Sequence, residues 1–458
     1  MAFVWFLLVF SLSLAVIPLK AEIQVNQSRV HLKIHHVHGP ESSLIQNVSF
    51  SDLLLRDEER VKSLKSILVK NTNRNRGSSS LSSDLSKRSN HWSSAKSLNI
   101  PLNSGLSIGS GNYYVKIGIG SPVKYSTMIM DTGSSFSWIQ CKPCAVFCHS
   151  QTDPVFDPSS SKTYKTLPCY ASACSSLKES TLNSPLCSSS NKCIYTASYG
   201  DSSYSIGYLS QDLLTLSQSQ TFPNFIYGCG QDNEGLFGKS AGLLGLARDK
   251  LSMIAQVSSK YGFSFSYCLP TATSSSGGFL KIGKNPSVMT SSFKFTPMVK
   301  DPRESSSLYS LKLAAITVAG LPLRVSAAEY KVPTIIDSGT VITRLPLSLY
   351  SALQSAFVKI MSKKYAEAPA FSILDTCFKG NVKSMTSGVP EIAMVFPGGA
   401  ALRLSASNML IQAGDGVTCL AFAASSEITV IGNHQQQTFE VAYDVANSRI
   451  GFAANACR

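Results

Sequence analysis

The sequence predicts a large, mainly β protein made of two similar lobes with a cleft between them. Three observations support this prediction. The chain has 458 residues, whereas a single hydrophobic core rarely extends beyond roughly 250–300 residues. Charged residues make up only 15%, and from Gly111 onward runs such as 112–120 alternate as strands do. A short acidic motif also occurs twice, 206 residues apart, which suggests two related halves.

The first 21 residues read as a signal peptide. Residues 2–19 are mostly apolar and are followed by Lys20 and the small Ala21, where cleavage is expected. A transmembrane anchor is the alternative, but the run is shorter than about 20 clean apolar residues and contains Pro18. The start of the chain carries no Lys or Arg, which leaves organelle targeting open. The sequence offers no second apolar segment, so we expect secretion without a membrane anchor.

Residues 22–97 are predicted to form a propeptide. They contain no cysteine, a charged stretch of helical character at 52–70, and a Ser/Asn/Arg-rich tract at 71–97. Both N-glycosylation sequons, at Asn26 and Asn47, fall here. The stretch has too few apolar residues for a core of its own. We expect cleavage near residues 95–105, with the basic segment covering an acidic cleft until low pH loosens it.

The repeated motif is Met-Ile-Met-Asp-Thr-Gly-Ser-Ser at 128–135 and Thr-Ile-Ile-Asp-Ser-Gly-Thr-Val at 334–341. Each copy places an aspartate, Asp131 or Asp337, after three apolar or β-favouring residues and before a Gly turn. An apolar-apolar-Gly element follows in each half, at 243–245 and 430–432. The pattern predicts two half-sites, one on each lobe.

Two such turns placed face to face would bring two carboxyl groups into one site. Like charges so close cannot both ionise, so one carboxyl keeps its proton through mildly acidic pH. The pair can then hold a water, with one member acting as general base and the other as general acid. This chemistry attacks a carbonyl directly and requires neither a metal nor a cofactor. Asp131 and Asp337 are therefore the predicted catalytic pair.

Other chemistries fit less well. Ser-His-Asp catalysis needs a histidine in a catalytic setting, but only His149 and His434 lie outside the predicted propeptide. Cys141, Cys144 and Cys148 have zinc-like spacing but lack a second pair of ligands downstream. The net charge of +14 is scattered rather than clustered, so it indicates a solvated surface more than a nucleic-acid site.

The chain has twelve cysteines, an even number, and all of them follow residue 140. Downstream of a signal peptide, this pattern favours disulfides. The sequence alone leaves their connectivity open.

These motifs resemble those of the pepsin-like aspartic proteases, particularly the plant nepenthesin-like group and its chloroplast nucleoid DNA-binding protease-like subgroup. The resemblance covers residues 108–458. Residues 131–135 with Trp138 resemble the first catalytic loop, and residues 337–340 the second. Residues 199–203 resemble the flap, and residues 431–452 the closing segment of the second lobe. The resemblance implies a bilobal fold, with an N-terminal lobe at 98–305 that includes a cysteine-rich insertion and a C-terminal lobe at 306–458.

The resemblance also implies roles for individual residues. Ser134 and Thr340 should hydrogen-bond the outer oxygens of the two aspartates, while Thr132 and Ser338 should bind across the lobes. The remaining residues that the resemblance assigns are the turn glycines Gly133 and Gly339, the flap residues Tyr199 and Gly200, and Trp138, whose ring nitrogen should lie near the Tyr199 hydroxyl. The implied disulfides are Cys141–Cys144, Cys148–Cys229, Cys169–Cys193, Cys174–Cys187, Cys268–Cys457 and Cys377–Cys419.

The implied function is an acid endopeptidase that cuts polypeptides between apolar residues, acts as a monomer and uses no cofactor. One alternative is a catalytically silent binder on the same fold, like the plant xylanase inhibitors, but both aspartates are intact. Another is a DNA-binding nucleoid protease, which segment 335–346 resembles. The basic surface would then bind DNA, or another anionic polymer, weakly. The expected location is extracellular, in the apoplast, with the vacuole or chloroplast as alternatives.

Overall fold

The structure is a computed structural model, and it describes residues 49–74, 98–104, 111–199, 202–235, 237–271, 277–283, 292–299, 307–385 and 387–456. The predicted signal peptide, the sequons at Asn26 and Asn47, Gly200 and Cys457 lie outside these ranges. Within them, no helix is both long and apolar enough to cross a bilayer.

Strands dominate the described residues, as predicted. In chain order they are β1 (Leu98–Ser104), β2 (Tyr113–Ile119), β3 (Lys124–Asp131), β4 (Trp138–Gln140), β5 (Lys165–Thr166), β6 (Leu186–Cys187), β7 (Cys193–Ser198), β8 (Tyr204–Ser217), β9 (Gln220–Glu234), β10 (Gly242–Gly245), β11 (Ser264–Cys268), β12 (Gly278–Ile282), β13 (Lys294–Pro297), β14 (Ser310–Leu311), β15 (Ala315–Val318), β16 (Leu321–Pro322), β17 (Thr334–Ile336), β18 (Thr343–Pro346), β19 (Glu367–Ala368), β20 (Cys377–Lys379), β21 (Ile392–Val395), β22 (Ala401–Leu404), β23 (Leu410–Gly414), β24 (Val417–Leu420), β25 (Phe422–Ser425), β26 (Thr429–Ile431), β27 (Glu440–Asp444) and β28 (Arg449–Ala453).

The helices are α1 (Phe50–Arg74), α2 (Ser172–Ser180), α3 (Met253–Tyr261), α4 (Leu347–Met361), α5 (Ala406–Met409) and α6 (Asn433–Gln436). Short 3-10 turns lie at Pro158–Ser160, Ala327–Lys331, Val382–Ser384, Pro397–Gly399 and Val445–Asn447. Helical periodicity in the sequence predicts helices at 251–261 and, directly after Pro346, at 347–363. Helices α3 and α4 lie at these positions. Helix α4 begins directly after Pro346 and buries Leu349, Leu353, Phe357 and Met361, a spacing that places them on one face.

The strands form four sheets. The largest runs β13-β28-β27-β11-β12-β1-β2-β3-β10-β4-β9-β8-β7-β6, with β5 beside β8. It joins the two halves of the chain because β27, near the C-terminus, pairs with β11 along Ser264–Cys268. The C-terminal half adds three smaller sheets, ordered β14-β17-β26-β18-β25, β16-β15-β21-β22 and β19-β20-β24-β23.

The sequence repeat is also a structural repeat. Strand β3 pairs in parallel with β10, and β17 pairs in parallel with β26. The glycines that end the two apolar-apolar-Gly elements lie where the chain packs closely. A Cβ on Gly245 would lie 2.7 Å from the Ser134 carbonyl oxygen, and one on Gly432 would lie 2.5 Å from the Ile342 carbonyl carbon. Only glycine permits these approaches, so the two elements hold the two acidic turns in equivalent positions.

Candidate active site

The two acidic turns bury their carboxylates at the ends of matching strands. Asp131 is the last residue of β3, and Asp337 directly follows β17. Asp131 is only 1% exposed and Asp337 is fully buried. A buried carboxylate is costly unless it is hydrogen-bonded or paired, so the surrounding groups determine what these two side chains can do.

Each carboxylate receives the same pair of hydrogen bonds from its own turn. The Gly133 N–H donates to Asp131 Oδ1 at 2.8 Å, and the Ser134 hydroxyl donates to Oδ2. The Gly339 N–H donates to Asp337 Oδ1 at 3.2 Å, and the Thr340 hydroxyl donates to Oδ2 at 2.7 Å. The hydrogen bonds expected of Ser134 and Thr340 are therefore present.

The hydroxyl residues between each Asp and Gly connect the two turns. The Thr132 N–H donates to Ser338 Oγ at 3.2 Å, and the Ser338 N–H donates to Thr132 Oγ1 at 2.9 Å. The Thr132 hydroxyl also donates to Asp337 Oδ1 at 3.3 Å. These reciprocal bonds fix one turn against the other, as the resemblance implies for Thr132 and Ser338.

A third layer of contacts comes from helix α6, where sequence reasoning assigned no roles. Gln436 donates to the Asp337 carbonyl at 3.2 Å and to the Ile431 carbonyl at 2.8 Å. Asn433 donates to the Ser338 carbonyl at 3.1 Å. These amides support the backbone of the second turn. In the sequence, the feature that could have indicated this role is the run of polar residues directly after Gly432.

The main feature that sequence reasoning missed is Arg60, on helix α1. Its Nη2 lies 2.5 Å from Asp131 Oδ1 and 3.1 Å from Asp337 Oδ1, and its Nε lies 2.9 Å from Asp337 Oδ2. One nitrogen therefore bonds an oxygen of each carboxylate. The sequence marks 52–70 as helical and charged but does not indicate which side chain reaches the aspartates.

Burial and the arginine act in opposite directions on the pair. Burial raises the pKa of Asp131 above its usual value; Arg60 opposes the rise and Asp337 adds to it. Burial also raises the pKa of Asp337, but Arg60, the Thr340 hydroxyl and the Gly339 N–H outweigh it, leaving this pKa below its usual value. In this arrangement Asp131 is the carboxyl that holds a proton more readily.

Helix α1 covers the C-terminal side of the cleft with apolar side chains. Leu54 is fully buried in a cluster with Ile342 and Leu374. About two to four turns later, Val61, Leu64 and Leu68 pack in a cluster with residues of the second half: Leu308, Ile335, Ile428 and Val430. The helix is therefore held by apolar contacts on both sides of Arg60, and these contacts cover surfaces next to the dyad.

Tyr199 and Trp138 meet as the resemblance implies. Strands β7 and β8 form an antiparallel hairpin in which Ser198 lies opposite Tyr204. The Trp138 Nε1–H donates to the Tyr199 hydroxyl at 2.8 Å. Beside them is a cavity of about 210 Å³. Its lining includes Tyr199 and the apolar side chains Ile129, Phe136, Ala197, Phe237 and Leu243.

The structure corrects four of the implied disulfides. Cys141 bonds Cys229, and Cys144 bonds Cys148, in place of Cys141–Cys144 and Cys148–Cys229. The cause is strand pairing: β4 runs parallel to β9 with Ile139 opposite Cys229, which brings Cys141 to β9. Cys144 and Cys148 remain together in the following loop.

The second correction exchanges two partners. Cys169 bonds Cys187 and Cys174 bonds Cys193, in place of Cys169–Cys193 and Cys174–Cys187. Cys193 is fully buried and packs with Cys174 of helix α2 in one apolar cluster, whereas Cys187 is exposed. Cys377–Cys419 is confirmed. The pair Cys268–Cys457 involves Cys457, which lies outside the described residues.

Two family models match the chain. The model described as "Xylanase inhibitor N-terminal" matches residues 113–284, and "Xylanase inhibitor C-terminal" matches residues 308–454. Among solved structures, the basic 7S globulin from soybean superposes with a TM-score of 0.63 over 80% of this chain and 99% of that chain, at 22% identity. Conglutin gamma from lupine seeds gives 0.62 over 79% and 96%, at 21% identity. These similarities support the bilobal, mainly β fold.

Curated relatives are more similar in sequence. An aspartyl protease family protein of Arabidopsis thaliana is 40% identical over 95% of this chain and 89% of its own length. Aspartic proteinase nepenthesin-2 of Nepenthes gracilis is 36% identical over 76% of this chain and 78% of its own length. Together with the paired acidic turns, these identities show that the chain belongs to the plant pepsin-like aspartic proteases.

Proposed function

We propose that this aspartic endopeptidase cleaves polypeptides at acidic pH through a water held between Asp131 and Asp337. The observation that supports the proposal is the position of Arg60 Nη2, which lies within hydrogen-bond reach of an inner oxygen of each carboxylate. Once α1 has left, a water at that point would contact both carboxyls. One carboxyl would accept a proton from the water as it attacks the peptide carbonyl, and the other would donate its proton to the carbonyl oxygen. The amine would then take up a proton from the pair as the C–N bond breaks.

The supporting hydrogen bonds suit this role. The inner oxygens of the pair receive the turn N–H groups of Gly133 and Gly339, and the outer oxygens receive hydroxyls. The cross-lobe bonds of Thr132 and Ser338 hold the carboxyls in one arrangement. Such preorganisation lowers the barrier because the groups need not reorganise during the reaction. We therefore assign Asp131 and Asp337 the catalytic role. A positioning role falls to the six residues that hold them: Thr132, Gly133, Ser134, Ser338, Gly339 and Thr340.

The proposed substrate has apolar residues around the scissile bond. Helix α1 places Leu54, Val61 and Leu64 in apolar clusters beside the dyad. The mixed lining of the cavity beside Tyr199 also includes apolar side chains, among them Phe136 and Phe237. Binding of a polypeptide in place of the helix would be stabilised because its apolar side chains would be buried on the same surfaces. Tyr199, hydrogen-bonded to Trp138, belongs to the hairpin proposed to close over this substrate.

In this proposal, residues 22–97 are a propeptide that keeps the precursor inactive. The guanidinium of Arg60 occupies the water position, and the helix covers the substrate surface. Processing near residues 95–105 would release α1 and open the cleft. The disulfides formed by ten of the cysteines support an oxidising compartment, and we propose secretion to the apoplast as a monomer.

The test is proteolysis of an unfolded protein by the processed chain across pH, with and without pepstatin. We expect cleavage that is greatest in acid and blocked by pepstatin. A processed chain that cuts nothing at any pH but binds a xylanase would instead support the catalytically silent binder suggested by the descriptions of the matching family models.

A further inference from the structure

Asp57, one turn before Arg60 on helix α1, fills a second polar site in the cleft. Its Oδ1 accepts a hydrogen bond from the Val341 N–H, and its Oδ2 accepts one from the Ile342 N–H at 3.2 Å. The Arg344 Nη2 lies 3.1 Å from the same Oδ2. Asp57 is only 3% exposed, so both of its oxygens are enclosed by donors from the enzyme body.

The donors belong to the segment that follows the second catalytic turn, and they remain when α1 leaves. Arg344 lies in β18 and is fully buried. In the described part of the chain its two carboxylate partners, Asp57 and Glu58, both belong to α1. Its Nη1 also donates to the Ile342 carbonyl at 3.4 Å, which helps hold the guanidinium in place. Loss of the helix would therefore leave a positive side chain and two N–H groups without their anion.

A buried positive charge without a partner is costly. Water can replace part of what Asp57 supplied, but a carboxylate matches the site better because it accepts several charge-assisted hydrogen bonds at once. Apolar surface from Ile342 and Leu374 adjoins the pocket. The pocket thus suits an acidic side chain on a peptide that is otherwise apolar.

The helix also indicates how far this pocket lies from the scissile bond. Asp57 precedes Arg60 by three residues, which is about 4.5 Å along a helix axis at 1.5 Å per residue. An extended peptide advances about 3.3 Å per residue. The distance from dyad to pocket therefore corresponds to one or two residues of an extended substrate.

We propose that Arg344 and the N–H groups of Val341 and Ile342 form a substrate subsite for aspartate or glutamate, one or two residues from the scissile bond. In the precursor, the Asp57 carboxylate occupies the place of that side chain. This assignment rests on the proposed endopeptidase function and adds a substrate class to it: apolar peptides that carry one acidic residue near the cut.

The first test uses pairs of peptides with one apolar cleavage site, differing only by Glu or Gln at one of three positions on either side. Both members of a pair compete in one reaction, so the ratio of their kcat/KM values is independent of the active enzyme concentration. We expect Glu to be preferred about 10-fold at one position and ratios near 1 at the others, which serve as internal controls. Arg344→Met should bring the ratio at that position to about 1, and Arg344→Lys should retain part of it. A wild-type ratio near 1 at every position would overturn the subsite.

The second test does not need catalysis. A fluorescent peptide of residues 50–74 and its Asp57→Asn version are titrated against the processed Asp337→Asn enzyme, with and without Arg344→Met. We expect Asp57→Asn to weaken binding about 10-fold when Arg344 is present and to have little effect when it is replaced. If no peptide is cut but this coupling is found, the endopeptidase function fails and the acid pocket stands. If peptides are cut without Glu preference, the subsite proposal fails and the endopeptidase function stands.

Discussion

The Nε atom of Arg60 lies 2.9 Å from Oδ2 of Asp337, joining a side chain of the predicted propeptide to the second acidic turn. The same guanidinium reaches Asp131 through Nη2. An arginine is charged at every relevant pH, so the contact persists as long as the carboxylates remain ionised. The structure is thus a closed form in which the Arg60 guanidinium bonds both carboxylates.

Arg60→Gln should weaken this closure. The variant precursor loses the ion pairs with both carboxylates while keeping the apolar contacts of α1. We expect the uncleaved Arg60→Gln precursor to hydrolyse a small peptide at a pH where the wild-type precursor is silent. The matched control is Lys62→Gln, because Lys62 lies on the same helix, is 61% exposed and pairs only with the nearby Glu59 among the described contacts. If neither variant precursor hydrolyses the peptide, the role of Arg60 is contradicted.

Docking of α1 should weaken as pH falls. Arg60 opposes the rise in the pKa of Asp131 and holds the pKa of Asp337 below its usual value. The pair without Arg60 therefore binds more protons, and acid favours release of α1. Asp57 acts in the opposite direction, because burial raises its pKa in the docked state despite Arg344 and the Val341 and Ile342 N–H groups. We expect the wild-type helix to lose hydrogen-exchange protection as pH falls toward the pKa of Asp337, which lies below its usual value in the docked state.

The sign of that pH dependence provides a sharper check. The Arg60→Gln precursor lacks the effect of Arg60 on the two catalytic carboxyls and keeps the effect of docking on Asp57. Because the pKa of Asp57 is raised in the docked state, docking of α1 should no longer weaken in acid and should strengthen slightly. Hydrogen exchange of residues 50–68 across pH measures this in both proteins. The same acid-driven release in Arg60→Gln as in the wild type would show that groups other than Arg60 control it.

Ser338→Ala should affect both stability and catalysis. The change leaves the buried Thr132 N–H without its 3.2 Å acceptor, and an unsatisfied buried donor costs about 1–3 kcal/mol. It also loosens one turn against the other, so we expect kcat to fall about 10–100-fold with a smaller change in KM. Urea unfolding and steady-state kinetics measure the two effects. Ser190→Ala, at an exposed position, is the control, and an unchanged kcat in Ser338→Ala would remove the positioning role.

The revised disulfides make a direct prediction. Cys141→Ser should free the thiol of Cys229, not that of Cys144, and mass mapping of the alkylated protein distinguishes the two. Cys141–Cys229 spans 88 residues and Cys144–Cys148 spans 4. In the chain-entropy model these loops are worth about 4.6 and 1.9 kcal/mol, so Cys141→Ser should lower the free energy of unfolding more than Cys144→Ser does. A freed Cys144 would restore the pairing implied by family resemblance.

The acidic turns could be predicted because each is encoded by a short stretch of sequence, and that stretch occurs twice. Asp131 and Asp337 sit in short motifs that fix their own hydrogen bonds, and the second copy identifies them as a pair. Helices α3 and α4 were likewise predicted from local periodicity and from Pro346. These features require no knowledge of which distant segments meet.

The disulfides and Arg60 could not be predicted in this way. The partner of Cys141 depends on the parallel pairing of β4 with β9, and the partner of Cys193 depends on which face of β7 is buried. Arg60 lies 277 residues from Asp337 in the sequence, and Asp57 is similarly far from Arg344. Spacing along the chain does not indicate such contacts, because they depend on how α1 docks across the finished cleft.

Whether catalysis needs both aspartates is measured by cleavage of an unfolded protein with three chains: the wild type, Asp131→Asn and Asp337→Asn. Each carries the same inserted site for an unrelated protease at the 95–105 junction, so that processing does not depend on the chain's own activity. Circular dichroism checks that all three are folded. We expect acid proteolysis by the processed wild type and none by either variant, because an amide cannot transfer protons as the carboxyl that it replaces does. Substantial cleavage by either folded variant would contradict a mechanism that needs both Asp131 and Asp337.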